Sequence, residues 1–397
     1  MADAEFRVLL LAYLVLGIAY SFVVPFLSLF GTREVGLGPL GLSGFMTVTS
    51  LGAITCSTIL ARWSDVMLSR RSVLLLGGTA GTLGYIGYAF VRDVTWLTLI
   101  GVGLLGVAAV TFSQLFAYAR DLLDRRALPP HEVPFYMNVF RLFFALAWTV
   151  GPAIAAWVMK VVSFRGLFCA AAGFYALFVV LVALFVPHLP PSSETRARAL
   201  ALPLRQALRT PGLLRHFAAF VLYFACSALG MITLPLLLLD VLHGSVDDVG
   251  IAYSVAPLFE LPFMLIMGIL AMRVPARHLI HAALALAVVY YGLLAGVQRP
   301  WHVFPAQALS AAIVAVTSGV AVTFFQDFMP GQAGSATNLY SSAQRIGSTG
   351  GYLCFGLVSE SYGPRGVFVC CAVLCAAATA LLARYAPRAP LSAVGRA

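Results

Sequence analysis

Two asparagine–arginine sets stand in apolar surroundings with helical spacing. Asn138 and Arg141 are one turn apart, and Asn338, Ser341, Ser342 and Arg345 repeat the i, i+3/i+4, i+7 pattern, so each set shares a helix face. Trp148 lies on the Arg141 stripe two turns on, and Tyr253 and Glu260 are likewise two turns apart. Gln114, Gln307 and Gln326 add amides from two further apolar runs. Guanidinium and amide groups present planar donors and acceptors that match neighbouring hydroxyls. Aromatic faces suit the C–H side of a ring. Together they are what a polyhydroxyl ligand needs. Glu260 adds a group able to take up and release a proton, since desolvation favours a neutral carboxyl and a nearby arginine a charged one.

The elements holding these residues are set by composition. Of 397 residues, 61% are hydrophobic and 10% charged, with a mean hydropathy of +0.94; a soluble domain carries about 25% charged residues. This is an integral membrane protein. Runs of roughly 20 apolar residues, enough to cross the hydrocarbon, recur twelve times, at 6–30, 39–61, 72–91, 96–119, 134–159, 164–186, 213–239, 248–272, 276–297, 301–326, 335–358 and 364–385. The start, "MADAEFR", is mixed in charge, and the run after it has no small-residue cleavage site, so the first span is expected to stay in place. A charge at mid-span costs about 2.5–3.5 kcal/mol on insertion scales. Arg141, Arg345 and Glu260 must therefore face a cavity and work there, or else pair to hold the protein together. Arg141 lies about seven residues into its span, roughly 10 Å, and can partly reach the membrane boundary; Arg345 and Glu260 are near mid-span.

Charge fixes an expected orientation. With the N-terminus inside, Arg33, Arg92, Lys160, Arg165, Arg299 and Arg365 fall in outer loops, Arg141 and Arg345 within spans, and all other Lys and Arg on the inner side. That bias follows the positive-inside rule and accounts for the net charge of +10 without a nucleic-acid partner. The stretch "PHLPPSSETRARALALPLRQALRTPG" is the longest polar one. It divides the chain into 1–187, a cytoplasmic linker 188–212, and 213–397, with six spans in each half. At a constant offset of 200, Asn138 matches Asn338, Gly151 matches Gly351, and "FRGLF" (164–168) matches "PRGVF" (364–368). An internal repeat of six spans is the architecture of secondary transporters, with substrate held between the halves near the midplane.

Other features read as structure. "GVGLLG" (101–106) fits a dinucleotide fingerprint but lies inside a span with no strand before it, so helix packing through small residues accounts for it. "HLIH" (278–281) has no acidic or thiol companion, and no metal or other cofactor is expected. The seven cysteines lie in apolar runs and read as small buried hydrophobes. No catalytic pair and no foldable soluble segment is visible, which argues against an enzyme or a receptor.

"ARWSDVMLSRR" (61–71) resembles the signature of the major facilitator superfamily: Asp65, Arg70 and Arg71 keep its charges, with Ala61 and Leu68 where glycines would stand. The resemblance implies a cytoplasmic latch of Asp65, Arg70 and Arg71 with the end of span four, where Asp121 is the acidic partner. "PFLSLFGTREVG" (25–36), "SQLFAYARD" (113–121), "LAWTVGP" (146–152), "LFELP" (258–262) and "FFQDFMPGQAGSATNLY" (324–340) resemble the sugar efflux transporter family within that superfamily. What this implies is a twelve-helix major facilitator fold of two pseudo-symmetric six-helix halves in the bacterial inner membrane, both termini cytoplasmic. It further implies export of sugars or glycosides by alternating access against proton entry. Gln114, Asn138, Arg141, Trp148, Glu260, Gln307, Gln326, Asn338 and Arg345 are the expected substrate contacts, and Glu260 the proton carrier. A monomer surrounded by lipid is expected. The alternative is a multidrug or other small-metabolite exporter of the same superfamily.

Overall fold

The computed structural model describes residues 4–66, 68–126, 133–187, 211–329 and 333–383. Helix is the only regular structure among them. Ten helical stretches are long and apolar enough to cross a membrane. Two of these, Phe135–Phe185 and Ala336–Ala383, have 51 and 48 residues, too long for one crossing. Each is interrupted by one residue of positive φ, Ser163 at 69° and Gly363 at 63°. Divided there, the described chain has twelve spans: α1 Glu5–Glu34, α2 Pro39–Val66, α3 Arg70–Phe90, α4 94–125, α5 133–162, α6 164–185, α7 Gly212–Val241, α8 Val246–Ala271, α9 Ala276–Gly296, α10 Pro300–Asp327, α11 333–362 and α12 364–383. The linker expected at 188–212 lies almost wholly outside the described residues.

The sequence repeat returns as a repeat of backbone irregularities. The two positive-φ breaks fall at positions 163 and 363, the same offset that relates Asn138 to Asn338. Wide π-helical turns close α1 at Phe30–Glu34 and α7 at Leu237–Val241. A second pair interrupts α4 at Gly101–Leu105 and α10 at Val316–Val320. "GVGLLG" is thus a turn of helix. Its Gly101 and Gly106 lie against α2, where a Cβ would meet Thr49 Cγ2 at 2.5 Å and Cys56 Sγ at 3.3 Å. Lipid supplies no hydrophobic drive for helices to associate, so close approach through small residues carries the packing. Gly151 of α5 lies against the Ser21 hydroxyl of α1, and Gly351 of α11 against the Ala225 carbonyl of α7 at 2.5 Å. The chain forms the same contact twice, once in each half.

Side-chain caps start several spans. Ser69 accepts from Ser72 N at α3 and Asp93 from Trp96 N at α4, while Ser245 and Asp248 form a reciprocal capping box at α8. The turns between α1 and α2, α5 and α6, and α7 and α8 share one face of the molecule, here the far face; the chain ends emerge toward the opposite, terminal face. The halves meet along two main seams, and the ends of α1 and α7 also touch. Between α2 and α11, Ser43 Oγ donates to the carbonyls of Tyr352 (2.7 Å) and Leu353 (3.1 Å), and Ser50 Oγ lies 3.1 Å from Thr349 Oγ1. Between α5 and α8, a Cβ on Gly250 would lie 2.7 Å from Ala156 Cβ and 2.8 Å from the Pro152 carbonyl oxygen. The Arg33–Asp240 ion pair joins the ends of α1 and α7, and Lys160–Asp247 joins the far ends of α5 and α8.

Candidate substrate site

Below the seams, α1, α4 and α5 build an aromatic wall. Tyr20 of α1 meets Trp148 of α5 edge-on at 6.0 Å and Phe112 of α4 at 5.2 Å; Phe112 in turn meets Phe144 at 5.3 Å. Tyr13 stacks on Phe140 at 4.2 Å. Tyr20 is 38% exposed although it lies inside a span, so one side of this wall is open. Trp148 Nε1 is buried and has no hydrogen-bond partner among the described residues. Further toward the terminal face, the Arg141 guanidinium lies over the Phe116 ring, 5.4 Å from its centroid. That cation–π contact holds the charge on α5 against α4, with no carboxylate paired to it among the described residues. Asn138 is exposed one turn beyond it.

The facing half contributes from α8 and α11. Trp148 and Glu260 each lie about four turns, roughly 21 Å, from the far ends of α5 and α8. Arg345 lies about one turn deeper and Arg141 about two. Arg345 Nη1 is 3.4 Å from Thr58 Oγ1 of α2, which puts this guanidinium at the junction of the halves. Asn338 is exposed two turns away on the same face. Glu260 is half-buried on α8 and forms no ion pair among the described residues. The pairing with Arg141 or Arg345 that would make it a purely structural charge is not made in this conformation.

Three of the expected contacts are placed elsewhere. Gln114 is 3% exposed and accepts a 3.0 Å hydrogen bond from Arg70 Nη1. It belongs to the terminal-face cluster, because α4 turns that edge toward α3. Gln307 is also 3% exposed, its Nε2 buried without a partner among the described residues, inside the second half rather than on an open wall. Gln326 donates to Thr337 Oγ1 at 3.0 Å, one residue from the end of α10, so it ties α10 to α11. Spacing identified these amides as polar positions in apolar helices; which neighbour each meets is fixed by helix rotation.

In the terminal-face cluster, Arg70 Nε donates to Asp121 Oδ2 at 2.6 Å, and Arg71 Nη2 donates to the Ala183 carbonyl at the end of α6. Arg126 pairs with Glu5, joining α1 to the end of α4. The side chain of Asp65 lies outside the described residues. Residues that spacing did not single out are Tyr13, Tyr20, Phe112 and Thr58. Tyr13 and Tyr20 stand two turns apart, the same signal that marked Arg141 and Trp148, but on α1 they blend into a uniformly apolar run.

Two six-helix halves, joined at one face and carrying polar side chains between them, have the architecture of a membrane transporter that works between its halves. The family description Major Facilitator Superfamily matches residues 9–241 and 216–396. A Deinococcus radiodurans protein, provisionally named a sugar efflux transporter, is 36% identical over 96% of this chain and 98% of its own. Sugar efflux transporter A of Dickeya chrysanthemi is 31% identical, covering 95% and 94%. Among solved structures, a single-substitution variant of the nucleoside transporter NupG superposes with TM-score 0.79 at 14% identity, covering 96% of this chain and 99% of that one. A POT family transporter in complex with 5-aminolevulinic acid gives 0.77 at 14% identity, covering 95% of each chain; both likenesses concern the fold. The chain belongs to the sugar efflux transporter family of the major facilitator superfamily, whose members are transporters and not enzymes.

Proposed function

We propose that this protein exports sugars or glycosides across the bacterial inner membrane by alternating access, with proton entry as the driving reaction. The observation that carries the substrate class is its relation over nearly the full chain to proteins named as sugar efflux transporters. The arrangement of side chains agrees with it. The Tyr20–Trp148 wall offers aromatic faces to the C–H side of a sugar, and Trp148 Nε1 an unspent donor. Arg141, Asn138, Asn338 and Arg345 offer forked donors and amides to hydroxyls deeper in the space between the halves. Gln114, Gln307 and Gln326 act as supports for the helices in this reading. The arginine bias supports cytoplasmic termini and a cytoplasmic 188–212 segment. In that orientation the far face is external, and the described state is closed outward.

Coupling is assigned to Glu260. A carboxyl placed at mid-span without an ion pair gains or loses its proton as its surroundings fill and empty. Proteoliposomes carrying Glu260→Gln test the assignment, because the amide keeps shape and hydrogen bonding but does not titrate. Counterflow of sugar should persist while gradient-driven export is abolished, and the pH dependence of sugar binding should flatten. Wild-type rates for both counterflow and proton-driven efflux would remove Glu260 from the mechanism. A binding panel of sugars, glycosides and cationic drugs on the purified protein decides between this reading and a multidrug or other small-metabolite exporter.

A further inference from the structure

The far face joins the halves with a one-sided pattern of charge. Arg33 Nη2 lies 2.9 Å from Asp240 Oδ1, and Lys160 Nζ lies 2.6 Å from Asp247 Oδ2. In both pairs the first half brings the cation and the second half the anion. Arg33 and Asp240 occupy the matching π turns that close α1 and α7. The Arg33 turn is fixed to its own half. Glu34, next to Arg33, pairs with Arg92 at 3.0 Å, and Arg92 itself caps the end of α3 through the Tyr88 and Ala89 carbonyls. Asp247 follows Ser245 within the capping box that starts α8. The charges therefore ride on rigid ends and must separate when those ends separate.

Exposure sets how strong such a link is. The Arg33 and Asp240 side chains are 47% and 49% exposed, and Lys160 and Asp247 52% and 45%. Exposed pairs are weak and screened by salt. They are too weak to hold a fold and of the right size to bias an equilibrium between two conformations. The Arg126–Glu5 pair, by contrast, links α1 and α4 within one half at the terminal face.

We propose that Arg33–Asp240 and Lys160–Asp247 form a salt-sensitive electrostatic clamp on the external gate, which sets how readily the far face opens to release substrate. The proposal rests on the alternating-access reading. Separation of the halves at the far face breaks both pairs together and leaves the bonds within each half intact. The clamp acts on opening of the far face and contributes nothing to sugar recognition.

Hydrogen exchange read by mass spectrometry on the full-length protein in nanodiscs, over segments 24–38 and 237–250, tests it. Neutralising both acids, Asp240→Asn with Asp247→Asn, should raise exchange there by about two- to thirty-fold, the span of two exposed pairs. Raising salt to about 1 M should raise exchange in the wild type and leave the neutralised variant unmoved. The swap Arg33→Asp with Asp240→Arg should return exchange toward wild type, while either single reversal raises it. Glu5→Gln, which loses a somewhat less exposed ion pair within one half, should change nothing at the far face. The helix wedge Gly250→Ala, which touches neither pair, separates two failures. If the wedge raises far-face exchange and the charge variants do not, the clamp is refuted alone. If the wedge also has no effect, the halves do not rock at this seam, and the transport reading falls together with the clamp.

Discussion

Gly250 offers a direct test of whether the α5–α8 seam is a moving contact. A methyl group there would lie 2.7 Å from Ala156 Cβ, 2.8 Å from the Pro152 carbonyl oxygen and 3.2 Å from Ala153 Cα. Two of those atoms are backbone and cannot rotate away, so the helices themselves have to part. Overpacking of this kind costs about 1–3 kcal/mol. In a fixed core that cost appears as lost stability. On the proposed alternating-access cycle the contact exists only while the far face is closed, so opening would relieve the strain, and Gly250→Ala should shift the conformational equilibrium by about 5- to 140-fold at 1.4 kcal/mol per tenfold. Gly351→Ala is the matched control. Its methyl would lie 2.5 Å from the Ala225 carbonyl, but α7 and α11 belong to the same half, so both conformations carry the strain. The control should lower the melting temperature, by about 2–4 °C per kcal/mol on the scale of mid-sized domains, without favouring either state. The assay is far-face hydrogen exchange beside thermal melting on the same preparations. A Gly250→Ala protein that melts early but exchanges like wild type would refute the reasoning, because the seam would then be static core.

Further outcomes follow from the terminal-face cluster, the aromatic wall and the charge bias. Asp121→Asn removes a charge-assisted hydrogen bond from Arg70, both side chains being under one-fifth exposed, and should cost about 1.5–3 kcal/mol of stability, read as a lower melting temperature. Arg70→Lys should lower it as well, since an ammonium cannot keep the forked geometry that reaches Asp121 and Gln114 together; equal melting of Arg70→Lys and wild type would contradict the fork. Trp148→Phe keeps the ring against Tyr20 but deletes the unpartnered indole donor, so it should weaken sugar binding by about 0.5–1.5 kcal/mol while leaving the melt in place; calorimetry measures it, and unchanged affinity would take Trp148 Nε1 out of the site. Reporter fusions at 188–212 and at both termini should all report the cytoplasmic side, and an external signal from the linker would overturn the orientation.

Much of this architecture was legible along the chain because its causes are local. Each membrane crossing needs its own apolar run, so twelve runs predicted twelve spans, including the pairs α5–α6 and α11–α12 that are parted only by the single non-helical residues Ser163 and Gly363. The repeat at offset 200 was legible for the same reason: Gly151 and Gly351 both answer to a neighbouring helix at the same depth. The expense of a charge in hydrocarbon singled out Arg141, Arg345 and Glu260. Spacing also identified Gln114, Gln307 and Gln326 as unusual, but not what they touch. Sequence period fixes which residues share a face, while the rotation of a helix about its axis is fixed by its neighbours. Rotation gave Gln114 to Arg70 and buried Gln307 in the second half. The contacts of Arg345 with Thr58, Arg33 with Asp240 and Lys160 with Asp247 join residues 287, 207 and 87 positions apart. No local pattern encodes such distances, since these groups meet only after twelve helices have packed and the two halves have closed on one face.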